Sequence, residues 1–109
     1  MAYDEALATR VRGVLGGREG LAEKKMFGGI AFLLNGNMCC GVHDDELILR
    51  LDPGEGQKAL AEPHVRLFDM TGRPMKGWLL IGLGALATDD DLRTWVKKGV
   101  EFAGSLPPK

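Results

Sequence analysis

The sequence predicts an α+β domain: a two-layer arrangement of helices on one antiparallel sheet, in the order α-β-β-β-α-β-β-α. Three observations carry this reading. Residues 25–51 hold apolar runs broken by two short polar turns. Apolar stripes at helical spacing lie near both ends of the chain. Gly and Pro punctuate the joins.

The first element is a helix over residues 4–15, where Leu7, Val11, Val14 and Leu15 form the stripe. Asp4 caps its start and Gly16-Gly17 ends it. A three-strand meander follows. Met26 to Leu34 is apolar and aromatic, and Asn35-Gly36 is the strongest short hairpin signal, because both turn positions need positive φ. Residues 37–43 return, Asp44-Asp45 turns again, and Glu46 to Leu51 runs out with Leu47, Leu49 and Leu51 on one face. Asp52-Pro53-Gly54 breaks that strand. A short helix spans 55–62 and Pro63 stops it. Val65 to Asp69 is a fourth strand, 70–76 a turn, and Gly77 to Ile81 a fifth strand. The last helix opens on Thr88 as N-cap, with Asp89, Asp90 and Asp91 in the first turn, where the helix dipole favours anions. Leu92, Trp95, Val96, Gly99, Phe102, Ala103 and Leu106 then recur at three and four. Gly13, Gly99 and Gly104 fall inside helices, where tight packing is the expected reason.

With 109 residues and 11.8 kDa, the chain is expected to be one domain, 1–109. Area scaling gives roughly 5,900 Å² of folded surface against about 17,000 Å² unfolded, enough for a core without disulfides or metal. Net charge is −1, which argues against binding nucleic acid through phosphates, so no direct nucleic-acid contact is expected. No apolar run reaches ~18 residues, so no membrane span is expected. The N-terminus lacks the apolar core of a signal peptide, and two reduced thiols fit a reducing compartment. The cytoplasm is the expected location.

Several stretches invite a chemical reading. Gly82-Leu83-Gly84-Ala85-Leu86-Ala87 and Gly54-Glu55-Gly56-Gln57-Lys58-Ala59 loosely match a dinucleotide fingerprint. The aspartates at 89–91 would repel phosphate from the first, and the helix after the second is too short. Cys39 and Cys40 are candidate reactive thiols. Neighbours on a strand diverge, so one thiol should enter the core and the other the opposite face, with no disulfide between them. With His43 and His64 they lack zinc-ligand spacing, so no metal and no cofactor is expected. Arg66, Arg73 and Lys76, with Lys24 and Lys25, could make a basic patch near Trp78. No spacing suggests a nucleophile–base–acid set, so no catalytic residue is assigned.

Two motifs carry a resemblance. Lys25-Met26-Phe27-Gly28-Gly29 opens the meander, and Gly72-Arg73-Pro74-Met75-Lys76-Gly77-Trp78 leads into the fifth strand. With the elements between, they resemble the N-terminal domain of TfoX/Sxy-type proteins over roughly residues 5–105. The resemblance implies a secretion-chaperone-like α+β fold and a link to regulation of competence genes. Two-domain members act there as co-activators with a DNA-bound transcription factor. The helical C-terminal domain of such members is expected to be absent. Met26, Phe27, Gly28, Gly29, Arg73, Pro74, Met75, Lys76, Gly77 and Trp78 are then the family-motif residues and candidate contact surface. The expected function is that of a small accessory regulator of gene expression acting through protein partners, with a homodimer as one assembly. The alternative is a small-ligand or thiol-dependent enzyme domain using a pocket near Cys39, His43 and Trp78.

Overall fold

The computed structural model describes residues 3–26, 28–68 and 77–107, and of Met26 the backbone only. Among the described residues, three helices and one open sheet form the α+β arrangement read from the sequence. The sheet there has six strands, because the chain adds a strand before the meander. Helix α1 spans Glu5–Leu15; strands β1 to β4 span Leu21–Met26, Gly29–Leu34, Asn37–His43 and Glu46–Arg50. Helix α2 spans Pro53–Ala59, β5 Val65–Leu67, β6 Trp78–Ile81 and α3 Asp89–Ser105, with a single 3₁₀ turn at Leu83–Ala85. The strand order is β1-β2-β3-β4-β6-β5, and every pairing is antiparallel.

β1 has no apolar alternation to reveal it: Ala22, Glu23, Lys24 and Lys25 are all exposed. It is an edge strand held by its ladder to β2, and charge on such an edge discourages further strand pairing. The β2–β3 turn is the one read from Asn35-Gly36, with φ 53° and 85°. The β3–β4 turn places Asp44 at φ 51°, and Tyr3 bridges to it from the N-terminal side.

Asp52-Pro53 does more than break β4. The Asp52 carboxylate accepts from the Gly54 N–H at 3.0 Å, and Pro53 takes the first helical position, where its missing N–H costs nothing. Helix α2 therefore starts two residues earlier than the apolar pattern implies. Asp4 and Thr88 cap α1 and α3 through side-chain oxygens, as expected.

The main core lies between the sheet and the helices. Leu7, Val11 and Leu15 of α1 and Leu92, Val96 and Ala103 of α3 meet Ile30, Phe32, Val42, Leu47, Leu49 and Ile81. The opposite sheet face carries a smaller cluster of Ala31, Met38, Ile48, Phe68 and Leu80, with Leu33 and Trp78 half-buried against it. Of Gly13, Gly99 and Gly104, only Gly99 is tightly packed. A Cβ there would lie 2.5 Å from the Cys39 carbonyl oxygen. Gly56 in α2 is close to Gly77, whose Cα would lie 2.9 Å from a Cβ on Gly56. Gly13 faces open space, and at Gly104 the nearest atom would be an ordinary 3.7 Å away.

Candidate functional site

The two thiols do not diverge. Phe32 pairs with Cys40 but Leu33 pairs with Met38, so β3 carries one extra residue, Cys39, at a β-bulge. The bulge breaks the two-residue alternation, and both side chains turn into the main core. Both are free and buried. Their sulfurs lie 3.8 Å apart, and the Cys39 thiol donates to the Phe32 carbonyl at 3.3 Å. The Cys40 thiol donates to Cys39; that bond, together with burial, holds its pKa well above the usual 9.0. The same bond pulls the Cys39 thiol below its usual value, against burial. Expecting one thiol on each face fails because register, not sequence adjacency, sets side-chain direction.

The alternative pocket does not assemble. The thiols point to the helix side, whereas Trp78 belongs to the cluster on the other face. His43 is half-buried at the far end of β3, 3.7 Å from the Asp44 carboxylate. Lys24 and Lys25 lie on β1, and Arg66 lies on β5 at the other edge, paired with Glu46 at 2.5 Å, so these three do not share one patch. The other two expected members, Arg73 and Lys76, lie outside the described residues. Among the described residues no three His, Cys, Asp or Glu side chains gather as metal ligands.

The motif residues fall at opposite ends of the sheet. Gly28 and Gly29 sit at the end where β3 turns into β4, and a Cβ on Gly29 would strike the Val42 carbonyl oxygen. Gly77 and Trp78 sit at the other end, where β4 leaves the sheet. Gly77 has φ 83°, and a Cβ there would strike the Leu51 carbonyl oxygen; its own carbonyl accepts from the Leu51 N–H at 2.7 Å. Only glycine lets the chain pass this close. Of Met26 only the backbone is described; Phe27, Arg73, Pro74 and Met75 lie outside the described residues.

Trp78 organises a feature that the sequence did not disclose. It pairs with Arg50 across the β4–β6 ladder. The Arg50 guanidinium lies 5.1 Å from the centre of the Trp78 ring system and 5.5 Å from that of Phe102 on α3. The Phe68 ring flanks Trp78 at 6.3 Å, tilted by 59°. Arg50 thus joins the return strand to α3 through two cation–π contacts. Only the register of β4 on β6 could have revealed this.

Beside this cluster a groove runs between α2 and α3. Its widest part, about 450 Å³, is floored by Leu51 and walled by Phe102 and Lys98. A narrow neck of about 100 Å³ passes Ala59 and Trp95. A third chamber of about 330 Å³ ends at His64, which sits at φ 66° with its ring over Gly84.

These features define a small two-layer α+β domain whose marker glycines and tryptophan set chain approach at the two ends of one sheet. The chain belongs to the TfoX N-terminal domain family, whose model matches residues 14–103. No curated protein and no solved structure matches it. No helix among the described residues is long and apolar enough to cross a membrane.

Proposed function

We propose that this chain is a small cytoplasmic accessory regulator of gene expression, of the competence type, acting through contacts with a partner protein such as a transcription regulator. The observation that carries the reading is family membership over residues 14–103. The packing is in keeping with it: the two thiols, the residues best suited to covalent chemistry, are buried in the core and hydrogen-bonded. The net charge of −1 favours protein contact over phosphate contact. A homodimer is a second assembly that this reading admits, through the outer strand β5 rather than the charged edge of β1.

The test is removal of the gene followed by transcript measurement, with in-cell crosslinking of the tagged chain at native expression. A changed set of transcripts, together with a crosslinked regulator, is expected. Unchanged transcripts with no crosslinked protein would overturn the reading. A gel shift at low salt, where phosphate contacts are strongest, is expected to show no binding to duplex DNA. Sedimentation across a wide concentration range decides the homodimer.

A further inference from the structure

We infer that the groove between α2 and α3 is the docking site for a basic, extended segment of a partner protein. The inference rests on reading the chain as a protein-contact module and names where that contact is made.

Helical faces of α3 and α2 wall the first two chambers, and the third is closed by His64 after α2 and by Gly84 and Ala85 of the 3₁₀ turn. Asp91, Trp95, Lys98 and Phe102 recur at four, three and four along α3. Asp52, Glu55 and Lys58 recur at three from the cap of α2 onward, and Glu62 follows beyond its end. The three chambers are continuous: Leu51, Glu55 and Lys98 line both the first and the neck, and Glu62 and Trp95 line both the neck and the third. From Asp91 to Phe102 the helix rises about 16 Å, which roughly five extended residues would span.

Charge selects the occupant. Among the described lining residues, carboxylates at Asp52, Glu55, Glu62, Asp91 and Glu101 face two lysines and His64, with the Arg50 guanidinium 5.5 Å from the Phe102 ring centre. Lys58 is paired with Glu55 at 3.8 Å. The Lys98 ammonium lies 5.0 Å from the centre of the Trp95 ring system. Glu62, Asp91 and Glu101 have no cationic partner among the described residues. The described lining is therefore more acidic than the chain as a whole, whose net charge is −1. Lys98 on Trp95 also shows how a cation is held there, over an aromatic face beside carboxylates. A partner segment with basic residues at alternating positions can place its cations along Glu101, Glu62 and Asp91. Its small side chains would then rest on Leu51 and Ala59.

The test uses the full chain and a synthetic peptide of about eight residues, alternating arginine and alanine, long enough to overfill the groove. Amide shifts in NMR locate the site and a titration gives the affinity. Shifts centred on Glu55, Glu62, Trp95 and Glu101 are expected. The double variant Glu62→Lys/Glu101→Lys should bind roughly tenfold more weakly or worse, and Glu19→Lys, exposed and outside the groove, should bind as the parent does. If the lysine pair does not fold by circular dichroism, Glu62→Gln/Glu101→Gln takes its place, with a smaller loss in the same direction expected. The inference is overturned by shifts centred elsewhere, by unchanged affinity in the folded double variant, by no binding at low salt, or by spermidine binding as tightly as the peptide. Failure of the regulatory reading is distinguishable. A crosslinked regulator that is indifferent to the groove variants leaves that reading standing and removes the groove. Peptide binding in a chain whose loss changes no transcript does the reverse.

Discussion

Cys39 and Cys40 face each other across 3.8 Å because β3 holds one residue more than β2 can pair. The Cys40 proton is held by its bond to Cys39 and by burial. The folded pair therefore keeps a proton that the unfolded chain releases above about pH 9. A folded state that binds more protons loses stability as pH rises, so urea denaturation should show a weaker protein at about pH 10 than at about pH 8. Cys40→Ala should flatten that slope; an equal slope in both proteins would place its cause elsewhere. Trp95 belongs to the same scale. It is 8% exposed, on the α3 side of the main core. Trp95→Ala should cost roughly 3–5 kcal/mol by urea denaturation, the usual loss for a buried aromatic. A loss under about 1 kcal/mol would place the ring outside the core.

At the scale of elements, two helical glycines make opposite predictions. A Cβ on Gly99 would lie 2.5 Å from the Cys39 carbonyl oxygen and 2.7 Å from a Leu49 methyl, so α3 can approach β3 only with glycine there. Gly99→Ala should destabilise, because an overpacking cost of about 1–3 kcal/mol exceeds the helix-propensity gain of about 1 kcal/mol. Gly13 on α1 has nothing within 4 Å of an added Cβ, so Gly13→Ala should stabilise by about 0.5–1 kcal/mol. Thermal unfolding of the two variants checks both signs. The elements themselves differ in how legible they were. The caps at Asp4 and Thr88, the Asn35-Gly36 turn and the alternation of β4 are local, and each stands where the sequence places it. β1 was not legible, since four of its six residues are exposed and its pairing is its main support. The start of α2 was half legible: the same Asp-Pro pair that ends a strand also opens a helix.

On the scale of the whole molecule, the accessible surface is 5984 Å², close to the roughly 5,900 Å² that chain mass predicts for a folded monomer. The main core draws on α1, α3 and the sheet together, and the sheet also backs the second cluster. The two tryptophans report on opposite faces: Trp95 on the helix side, Trp78 on the other. The single-tryptophan variants Trp78→Phe and Trp95→Phe should each unfold in step with their own far-UV circular dichroism, as expected of a two-state domain. A fluorescence transition displaced from the dichroism in either variant would mean that one face melts first.

The amino-acid sequence alone determined the fold class, the order of most elements, the caps and tight turns, and the family, through residues such as Gly28, Gly29, Gly77 and Trp78. These follow from periodicity, capping and steric limits that act within a few residues. The tertiary structure decided what depends on register and approach. It turned both cysteines inward, and it set the two halves of the family motif at opposite ends of the sheet. It also laid Arg50 between Trp78 and Phe102 and opened the acidic groove between α2 and α3. Those outcomes depend on which residues of distant strands and helices come to lie side by side, and pairing across a sheet is fixed by the whole core at once.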